Sequence, residues 1–318
     1  MKYQQLTEGD RYTIAALKKQ GLTPTAIASA MGRHRSTVYR EYRRNRCWNT
    51  DGAYRPSKAQ RRTKSRRRKS RRNQHFSEAD YAIVKRFLRK KWSPEQIVGY
   101  LKRHHLPCFS HETIYRYIWQ NKKNGGILWT HLRGANKRRR KRYNAYDSRG
   151  RLANKRNIAE RPAIIETRKT QGHWEIDTVM GTGSKHCIVT LVERKTGYTL
   201  IGQLNDRTTK STNARTIKLI KSTSKAFSTI TADNGTEFHQ YKVIEQATNC
   251  LFYFANPHHS WERGTNENTN GLIRQYLKKG TSMKDLTQQQ CARIAAKLNN
   301  RPRKRLGYKT PEECFNEE

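Results

Sequence analysis

The sequence predicts a multidomain protein in which all-α helix-turn-helix modules precede an α/β domain with a mixed five-stranded sheet. At 318 residues the chain is too long for one ordinary hydrophobic core. Residues 1–150 hold 39 of the 67 lysines and arginines but only 9 of the 25 acidic residues. After residue 160 the hydrophobic pattern changes from helical spacing to strand-like runs. The chain therefore divides into a basic helical half and a more ordinary α/β half.

Residues 1–46 are predicted to form a helix-turn-helix domain of three short helices. A Ser or Thr oxygen can accept a hydrogen bond from the free amides of a first helical turn. The candidate caps are Thr7, Thr23 and Ser36. The third helix, Thr37 to Asn45, would turn Val38, Tyr39 and Tyr42 inward and leave its arginines outside.

The exposed face of that third helix is the predicted DNA-reading surface. In a helix-turn-helix, the last helix enters the major groove and its first residues reach the base edges. Arginine and hydroxyl side chains match the acceptors presented there. The candidate DNA-binding residues are Arg33, Arg35, Ser36, Thr37, Arg40, Arg43 and Arg44. A small helical bundle with a merely solvated basic face is the simpler alternative.

Residues 47–75 are predicted to be a basic linker. Within them Arg61–Arg72 has nine basic residues in twelve and no apolar one, so it cannot supply a core. Such a segment neutralises phosphates without choosing a sequence. A nuclear-import signal or an unused solvated tail would have the same composition.

A second helix-turn-helix domain is predicted over residues 76–120. Its helix starts are Ser77, Ser93 and Ser110, and Ser93–Gln96 has the pattern of a capping box. Its outward candidates for DNA contact are His111, Thr113 and Arg116. The spacing of His104, His105, Cys108 and His111 fits no usual zinc finger. Residues 121–160, with six consecutive basic residues at 137–142, are predicted to be another linker.

The remaining residues, 161–318, are predicted to be an α/β domain. Strand-like runs pass through Asp177, cover 187–192 and 198–204, end at Ala232 and cover 251–254. Helical patterns follow the third, fourth and fifth strands. Long helical crossovers of this kind favour a mixed sheet.

Three carboxylates in this domain are candidate ligands of a divalent metal. Asp177 lies inside an apolar strand, Asp233 ends another strand, and Glu267 lies early in a helix, with 33 residues between it and Asp233. A carboxylate in an apolar strand is costly without a partner, and Mg²⁺ prefers oxygen ligands. If the two strands are neighbours, the two Asp side chains converge and Glu267 can join them.

Each of these carboxylates also has an ordinary structural role open to it, or a nearby rival. Asp177 alone could form a strand-end salt bridge, and Asp233-Asn234-Gly235 alone would be an ordinary turn. Glu175 shares the strand face of Asp177, and Glu262 is the rival of Glu267 near the same helix start. Asp206 beside a turn and Glu237 at a helix start are weaker candidates.

The net charge of +42 makes a polyanion the expected partner, with DNA favoured over a membrane surface. No apolar run approaches the roughly 20 residues of a spanning helix. The first residues lack the apolar core of a signal peptide. The six cysteines form no Cys-x-x-Cys pair and are interpreted as free thiols in a reducing compartment. We therefore expect a cytoplasmic, DNA-associated protein.

Several stretches of the chain resemble the IS30 family of bacterial insertion-sequence transposases, within the DDE transposase and retroviral integrase group. The resemblance covers the first 45 residues and nearly all of 158–318. Its most specific parts are Ser36–Glu41, Gly172–Val179, Leu191–Thr196, Asp233–Phe238, Trp261–Arg274 and Leu298–Lys304. One departure is Lys279 before Gly280-Thr281, where the family tends to have proline.

The resemblance implies an RNase H-like catalytic domain whose catalytic and metal-binding residues are Asp177, Asp233 and Glu267, in preference to Glu262. It implies Mg²⁺ as the cofactor, two ions with Mn²⁺ possible, and double-stranded DNA with terminal inverted repeats as substrate. Strand cleavage and 3′-hydroxyl transfer would follow, in a homodimer or larger assembly. The residues expected to support the site are His173, Asn234, Gly235, His258, Arg263, Asn266, Asn270 and Arg274.

Two other functions remain open from the sequence. A non-catalytic, sequence-specific DNA-binding regulator would explain the charge and the helical half. A structural nucleoid protein would explain the charge alone and would show no preference for particular DNA ends.

Overall fold

The computed structural model describes residues 5–48, 51–70, 76–134, 155–257 and 259–317. The chain divides into two compact units, residues 1–76 and 77–318. Among the described residues, no helix is both long and apolar enough to cross a membrane.

The first unit consists of α1 (Glu8–Lys19), α2 (Pro24–Ala30), α3 (Arg35–Asn45) and α4 (Pro56–Ser70). The caps Thr7 and Thr23 are confirmed, since the hydroxyl of each accepts from an amide in the first turn of its helix. The buried apolar side chains come from all four helices and the loop before α4, and include Ile14, Ile27, Val38, Tyr54 and Ala59.

The third helix differs from its prediction in two respects. It begins two residues earlier, because His34 rather than Ser36 is the cap, with the His34 ring accepting from the Ser36 amide. The Ser36 hydroxyl instead accepts from Arg40 Nη2 at 2.7 Å. Tyr39, expected inside, is 52% exposed. Val38 and Tyr42 are one helical turn apart and define the buried face. Tyr39 lies about 100° around the helix axis from Val38 and is therefore outside that face.

The segment predicted as a basic linker contains α4, and this expectation is corrected. Helix α4 packs against α1 and α3 and buries Ala59 completely. Arg62 Nη1 donates to the carbonyls of Asn45 and Arg46, both at 2.9 Å, and Arg66 Nη1 donates to that of Arg44. These two arginines of α4 satisfy the terminal carbonyls of α3. The contact holds α4 in place although α4 has few apolar side chains. Residues 71–75 of the predicted linker lie outside the described residues.

The second unit opens with α5 (Glu78–Arg89), α6 (Pro94–Arg103) and α7 (His111–Lys123). The predicted caps Ser77, Ser93 and Ser110 are confirmed, and the first two form capping boxes. A short 3-10 turn, Leu128–His131, packs against α5 and α7 inside the segment predicted as the second linker. The basic run at 137–142 lies outside the described residues.

The α/β part holds one five-stranded sheet. Its strands are β1 (His173–Met180), β2 (Cys187–Glu193), β3 (Thr199–Leu204), β4 (Thr229–Ala232) and β5 (Leu251–Phe254). The spatial order is β3-β2-β1-β4-β5. The first three strands are antiparallel neighbours, while β4 is parallel to both β1 and β5. This is the predicted mixed five-stranded sheet.

Five helices accompany the sheet: α8 (Thr209–Lys221), α9 (Tyr241–Thr248), α10 (Gly264–Ile273), α11 (Gln288–Asn299) and α12 (Pro311–Asn316). Alternate residues of β1 serve opposite faces. Trp174 and Ile176 enter the core beneath α8 and α9, whereas Val179 packs with side chains of α10 and α11. The face of β1 that carries Asp177 is therefore the face covered by α10.

Helix α6 packs directly on the α/β part, and the predicted separate domains 76–120 and 161–318 belong to one compact unit. Arg301, 2% exposed, donates from Nε to Gln96 Oε1 at 2.8 Å and from Nη1 to Gln275 Oε1 at 2.6 Å. A Cβ at Gly99 would lie 2.1 Å from the ring of Tyr308, so glycine permits the close approach of α6. Contacts such as Arg301–Gln96 and Gly99–Tyr308 join residues more than 200 positions apart, which local sequence patterns do not reveal.

Candidate active site

The parallel pairing of β1 and β4 brings two of the predicted carboxylates together. The pairs Trp174–Ile230 and Glu175–Thr231 set the register. Continued by two residues, the same register places Asp233 level with Asp177 and on the same face of the sheet. Neighbouring strands lie about 4.8 Å apart, so the two side chains share one small region.

Arg263 lies between the two aspartates. Its Nη2 is 3.2 Å from Asp233 Oδ2, and its Nη1 is 3.7 Å from Asp177 Oδ1. The same Nη1 donates to the carbonyl of Ile176 at 2.9 Å. Arg263 ends a 3-10 turn and immediately precedes α10. The guanidinium shows that the two carboxylates accommodate a shared positive charge.

The electrostatics of Asp177 favour a cation. Burial raises the pKa of Asp177 from 3.8 to about 6, the Arg263 guanidinium opposes that shift, and the Asp233 carboxylate adds to it. Desolvation and a neighbouring like charge both disfavour the ionised carboxylate. A cation that binds both carboxylates would therefore stabilise the ionised form.

Helix α10 supplies the second wall of the site. Asn270 Nδ2 donates to Asp177 Oδ2 at 2.7 Å. The Thr190 hydroxyl, on the strand position that pairs with Asp177, donates to Asn266 Oδ1 at 3.1 Å. The buried carboxylate of Glu175 accepts from the Asn266 backbone amide at 2.8 Å. Three contacts thus fix the position of α10 over β1 and β2.

Glu267 lies on the same side of α10 but is exposed. At 100° per residue, Glu267 is about 40° around the helix from Arg263 and about 60° from Asn270. Among the described residues, no hydrogen bond or ion pair is found for its carboxylate, and no three potential ligands are clustered closely enough for a metal. The structure thus brings together Asp177 and Asp233. It places Glu267 on the side of α10 that carries Asn270 but does not group its carboxylate with the two aspartates in the described part of the chain.

The rival carboxylates are occupied elsewhere. Glu262 Oε2 accepts from the Asn256 amide at 2.8 Å, and its Oε1 accepts from the Asn256 side chain at 2.9 Å, which braces the loop after β5. Glu175 is fully buried and lies 3.4 Å from Arg194 Nη1. Asp206 accepts from Thr208 at the start of α8.

The predicted supporting residues fall into two groups. Arg263, Asn270 and Gly235 contact the aspartates directly, Gly235 through its amide to Asp233 Oδ1 at 2.9 Å. Asn266 acts through Glu175 and Thr190, as described above.

The other supporting candidates are placed away from the aspartates. His173 begins β1, four residues before Asp177, and hydrogen-bonds to the Thr229 hydroxyl at 2.9 Å. Asn234 donates to the carbonyl of Ala255, and Arg274 donates to that of Met180. His258 lies outside the described residues.

Sequence reasoning missed a buried carboxylate beside the site. Glu237 was expected only to open a helix; it sits in a short 3-10 turn and is 1% exposed. It accepts from the Thr178 hydroxyl at 2.6 Å and from Arg207 Nη2 at 2.7 Å. No pattern in the sequence pairs Glu237 with these residues, which lie 59 and 30 positions away.

The predicted DNA-contacting side chains are mostly exposed. On α3, Arg35, Arg40, Arg43 and Arg44 are exposed, Ser36 and Thr37 are partly buried, and Arg33 lies 3.6 Å from Asp10. On α7, His111 and Arg116 are exposed, and Thr113 shares a 2.9 Å hydrogen bond with Ser110. Each unit therefore presents a basic helix to solvent.

Sequence similarity to known proteins assigns the chain to a family. Residues 2–45 match the sequence profile of a family described as a helix-turn-helix domain. The chain is 41% identical over 310 residues to the transposase for insertion sequence element IS4351 of Bacteroides fragilis, covering 98% of this chain and 95% of that protein.

Two further relatives agree. The transposase for insertion sequence element IS1086 of Cupriavidus metallidurans is 36% identical, with 98% and 94% of the two chains covered. The transposase InsI for insertion sequence element IS30A of Escherichia coli is 37% identical, with 98% and 83% covered. On this nearly full-length similarity, the chain belongs to the IS30 family of insertion-sequence transposases.

Proposed function

We propose that this protein is a DNA transposase that binds the terminal inverted repeats of an insertion sequence, cleaves DNA strands and transfers a 3′-hydroxyl. Asp177, Asp233 and Glu267 are the proposed catalytic carboxylates. The observation that carries the proposal is the pair of level aspartates on adjacent parallel strands, with the Arg263 guanidinium between them.

The residues of this site fit a divalent metal. A cationic group already lies between the two aspartates, and oxygen ligands are those that Mg²⁺ and Mn²⁺ prefer. Asp177 and Asp233 would hold the ions from the sheet, and Glu267 would reach them from α10. Two bound divalent ions would activate the attacking water or 3′-hydroxyl and stabilise the leaving oxygen.

The protein's own groups orient the carboxylates. The Thr178 amide donates to Asp177 Oδ1 at 2.9 Å and Asn270 donates to Oδ2, so the Asp177 carboxylate cannot rotate freely. The Gly235 amide holds Asp233 Oδ1 and leaves Oδ2 facing Arg263. Such preorganised geometry means that little reorganisation is required when charge develops.

DNA recognition is proposed for the two basic helices. In the first unit, α3 would enter the major groove, and its arginines would contact bases and phosphates. In the second unit, α7 with His111, Thr113 and Arg116 would play the same part. Binding would weaken steeply with salt, because each neutralised phosphate releases counterions.

Cutting and joining two element ends implies that at least two copies of the chain act together on DNA, and we propose that this occurs in the cytoplasm. Analytical ultracentrifugation with end DNA tests the stoichiometry. Strictly one chain per DNA end, with no complex that holds two ends, would contradict the assembly.

The function is tested by incubating the full chain with a DNA fragment that carries an element end. We expect strand cleavage with Mg²⁺ or Mn²⁺, none with a chelator, and none on an equal length of random DNA. Specific binding without cleavage under all metal conditions would favour the non-catalytic regulator. Binding without end preference at raised salt would favour a nucleoid protein.

A further inference from the structure

We propose that a groove on the far side of α10 binds a backbone phosphate of the DNA, separate from the phosphate at the carboxylates. We call it the arginine groove. It has a volume of about 130 Å³. The residues with polar or charged side chains that line it are Arg168, Thr265, Asn268, Thr269, Arg303 and Arg305. The inference rests on the proposed action on DNA.

The arginine groove and the carboxylate site use opposite faces of one helix. Thr265, Asn268 and Thr269 are spaced i, i+3 and i+4 and so form one face of α10. The face with Glu267 and Asn270 is turned away by about 100–160°. Helix α10 therefore lies between the two sites, and a group bound in the groove would not touch Asp177 or Asp233.

The groove concentrates positive charge. Arg305 Nη1 donates to the carbonyl of Lys195 at 2.5 Å, and Arg303 Nη2 donates to that of Leu298 at 3.2 Å. In the described parts of the chain, no ion pair joins Arg168, Arg303 or Arg305 to a carboxylate. Backbone carbonyls orient the guanidinium groups of Arg303 and Arg305 without neutralising them.

The surrounding charges are a fourth arginine and two buried acids, Glu193 and Glu175. Arg133 Nη1 donates to Asn268 Oδ1 at 2.8 Å, so another guanidinium lies against the same helix. Burial, and after it the charges of Arg301, Arg305 and Arg133, lower the pKa of Arg303 to about 9. Glu193 lies near Arg305 but is buried, and its Oε2 accepts from the amide and hydroxyl of Thr196 at 2.6 Å each. The groove remains strongly cationic.

The groove also contains an unused polar group. Thr265 is 9% exposed, and its Oγ1 is buried with no hydrogen-bond partner among the described residues. Leaving a buried hydroxyl without a hydrogen-bond partner is destabilising. Because Thr265 lines the groove, an oxygen of a bound group can accept from it.

A phosphodiester fits this combination better than other anions. Guanidinium groups bind phosphate oxygens through paired, charge-assisted hydrogen bonds, and a hydroxyl adds another donor. An α-helix is about 10 Å across with its side chains. Since B-DNA rises about 3.4 Å per nucleotide along a strand, the bound phosphate would lie about three or more nucleotides from the bond being cut. We infer that the groove fixes how DNA crosses α10.

The test measures DNA binding rather than cleavage. The full chain and Arg305→Ala are titrated with an end-DNA fragment by fluorescence anisotropy over a range of salt concentrations. We expect Arg305→Ala to bind about 3–10-fold more weakly and to lower the slope of log K against log salt by about 0.9, the loss of one phosphate contact. Arg293→Ala, an exposed arginine on α11 outside the groove, is the matched control and should leave the slope unchanged.

Thr265→Val separates ligand binding from folding. Since the Thr265 hydroxyl has no protein partner in the described residues, its replacement by an isosteric methyl should not lower the melting temperature. It should still weaken DNA binding about 2–5-fold, as the loss of one hydrogen bond predicts.

Phosphate ethylation interference locates the contact. For the wild type we expect an interfering phosphate about three or more nucleotides from the cleavage position, and for Arg305→Ala the loss of that interference alone. An unchanged salt slope and an unchanged interference pattern in Arg305→Ala would overturn the proposal. In that case metal-dependent cleavage would still be observed, so the proposed catalysis would stand. If the groove contact were found but the protein did not cleave DNA, the proposed catalysis would be contradicted instead.

Discussion

Replacing Asp177 by asparagine should stabilise the metal-free protein at neutral pH, although Asp177 is a proposed catalytic residue. Burial raises the pKa of Asp177 from 3.8 to about 6. A carboxyl group whose pKa is raised by folding costs stability when it ionises. The penalty is absent below about pH 4 and complete above about pH 6.

The magnitude follows from the same shift. At about 1.36 kcal/mol per pH unit, a rise from 3.8 to about 6 corresponds to about 3 kcal/mol. The attraction between Arg263 and the ionised Asp177 is already contained in that shift. Asparagine keeps one oxygen for the Asn270 or Thr178 donor and leaves the other donor without an acceptor. Subtracting about 1–2 kcal/mol for that lost hydrogen bond leaves an expected gain of about 1–2 kcal/mol above pH 6.

The assay is hydrogen exchange of the β1 and β4 amides in the presence of a chelator, which reports this sheet rather than the whole chain. Wild type and Asp177→Asn are compared at about pH 5 and about pH 7.5. We expect the variant to gain protection relative to the wild type as pH rises.

Asp206→Asn provides the control of opposite sign. Hydrogen bonds from the side chain and then the backbone of Thr208 lower the pKa of Asp206. Its ionised form therefore stabilises the fold above its unfolded pKa, and this stability is lost as pH falls. The control variant should be less stable than the wild type at neutral pH. A difference between Asp177→Asn and wild type that does not change with pH would refute the reasoning about Asp177.

Three further substitutions test the packing around the site. Arg263→Met removes the cation between the aspartates, so calorimetry should show tighter Mn²⁺ binding and a lower metal-free melting temperature; weaker Mn²⁺ binding would contradict this. Glu175→Gln leaves the buried Arg194 less well compensated and should cost about 3 kcal/mol in urea unfolding; a neutral effect would count against this role. Gly235→Ala would place a Cβ 2.5 Å from Glu237 Oε2 and 2.9 Å from an Asp233 oxygen. It should lower Mn²⁺ affinity about 10-fold or more while end-DNA binding stays near wild type; unchanged Mn²⁺ affinity would show that the turn tolerates the methyl group.

Local chemistry predicted most of the elements. The threonine and serine caps of five helices and the strands around Asp177 and Asp233 follow from short patterns that act over a few residues. The predicted start of α3 was wrong, because the ring of His34 rather than the expected serine caps the helix.

The remaining differences come from long-range contacts. Helix α4 has almost no apolar residues, yet Arg62 and Arg66 attach it to the end of α3. The arrangement of the carboxylates depends on the register of β1 and β4, whose paired residues are more than 50 positions apart. Arg263 was expected only to support the site, and nothing in its sequence context indicates that it bridges two aspartates.

The most direct test of the proposed catalysis compares wild type, Asp233→Asn and Glu267→Gln in single-turnover cleavage of end DNA with Mg²⁺. Anisotropy on the same fragment measures binding. We expect both substitutions to lower the cleavage rate by at least about 10³-fold while the Kd for end DNA changes less than about 3-fold, because α3 and α7 are untouched. Cleavage at the wild-type rate in either variant would contradict the assignment of these carboxylates.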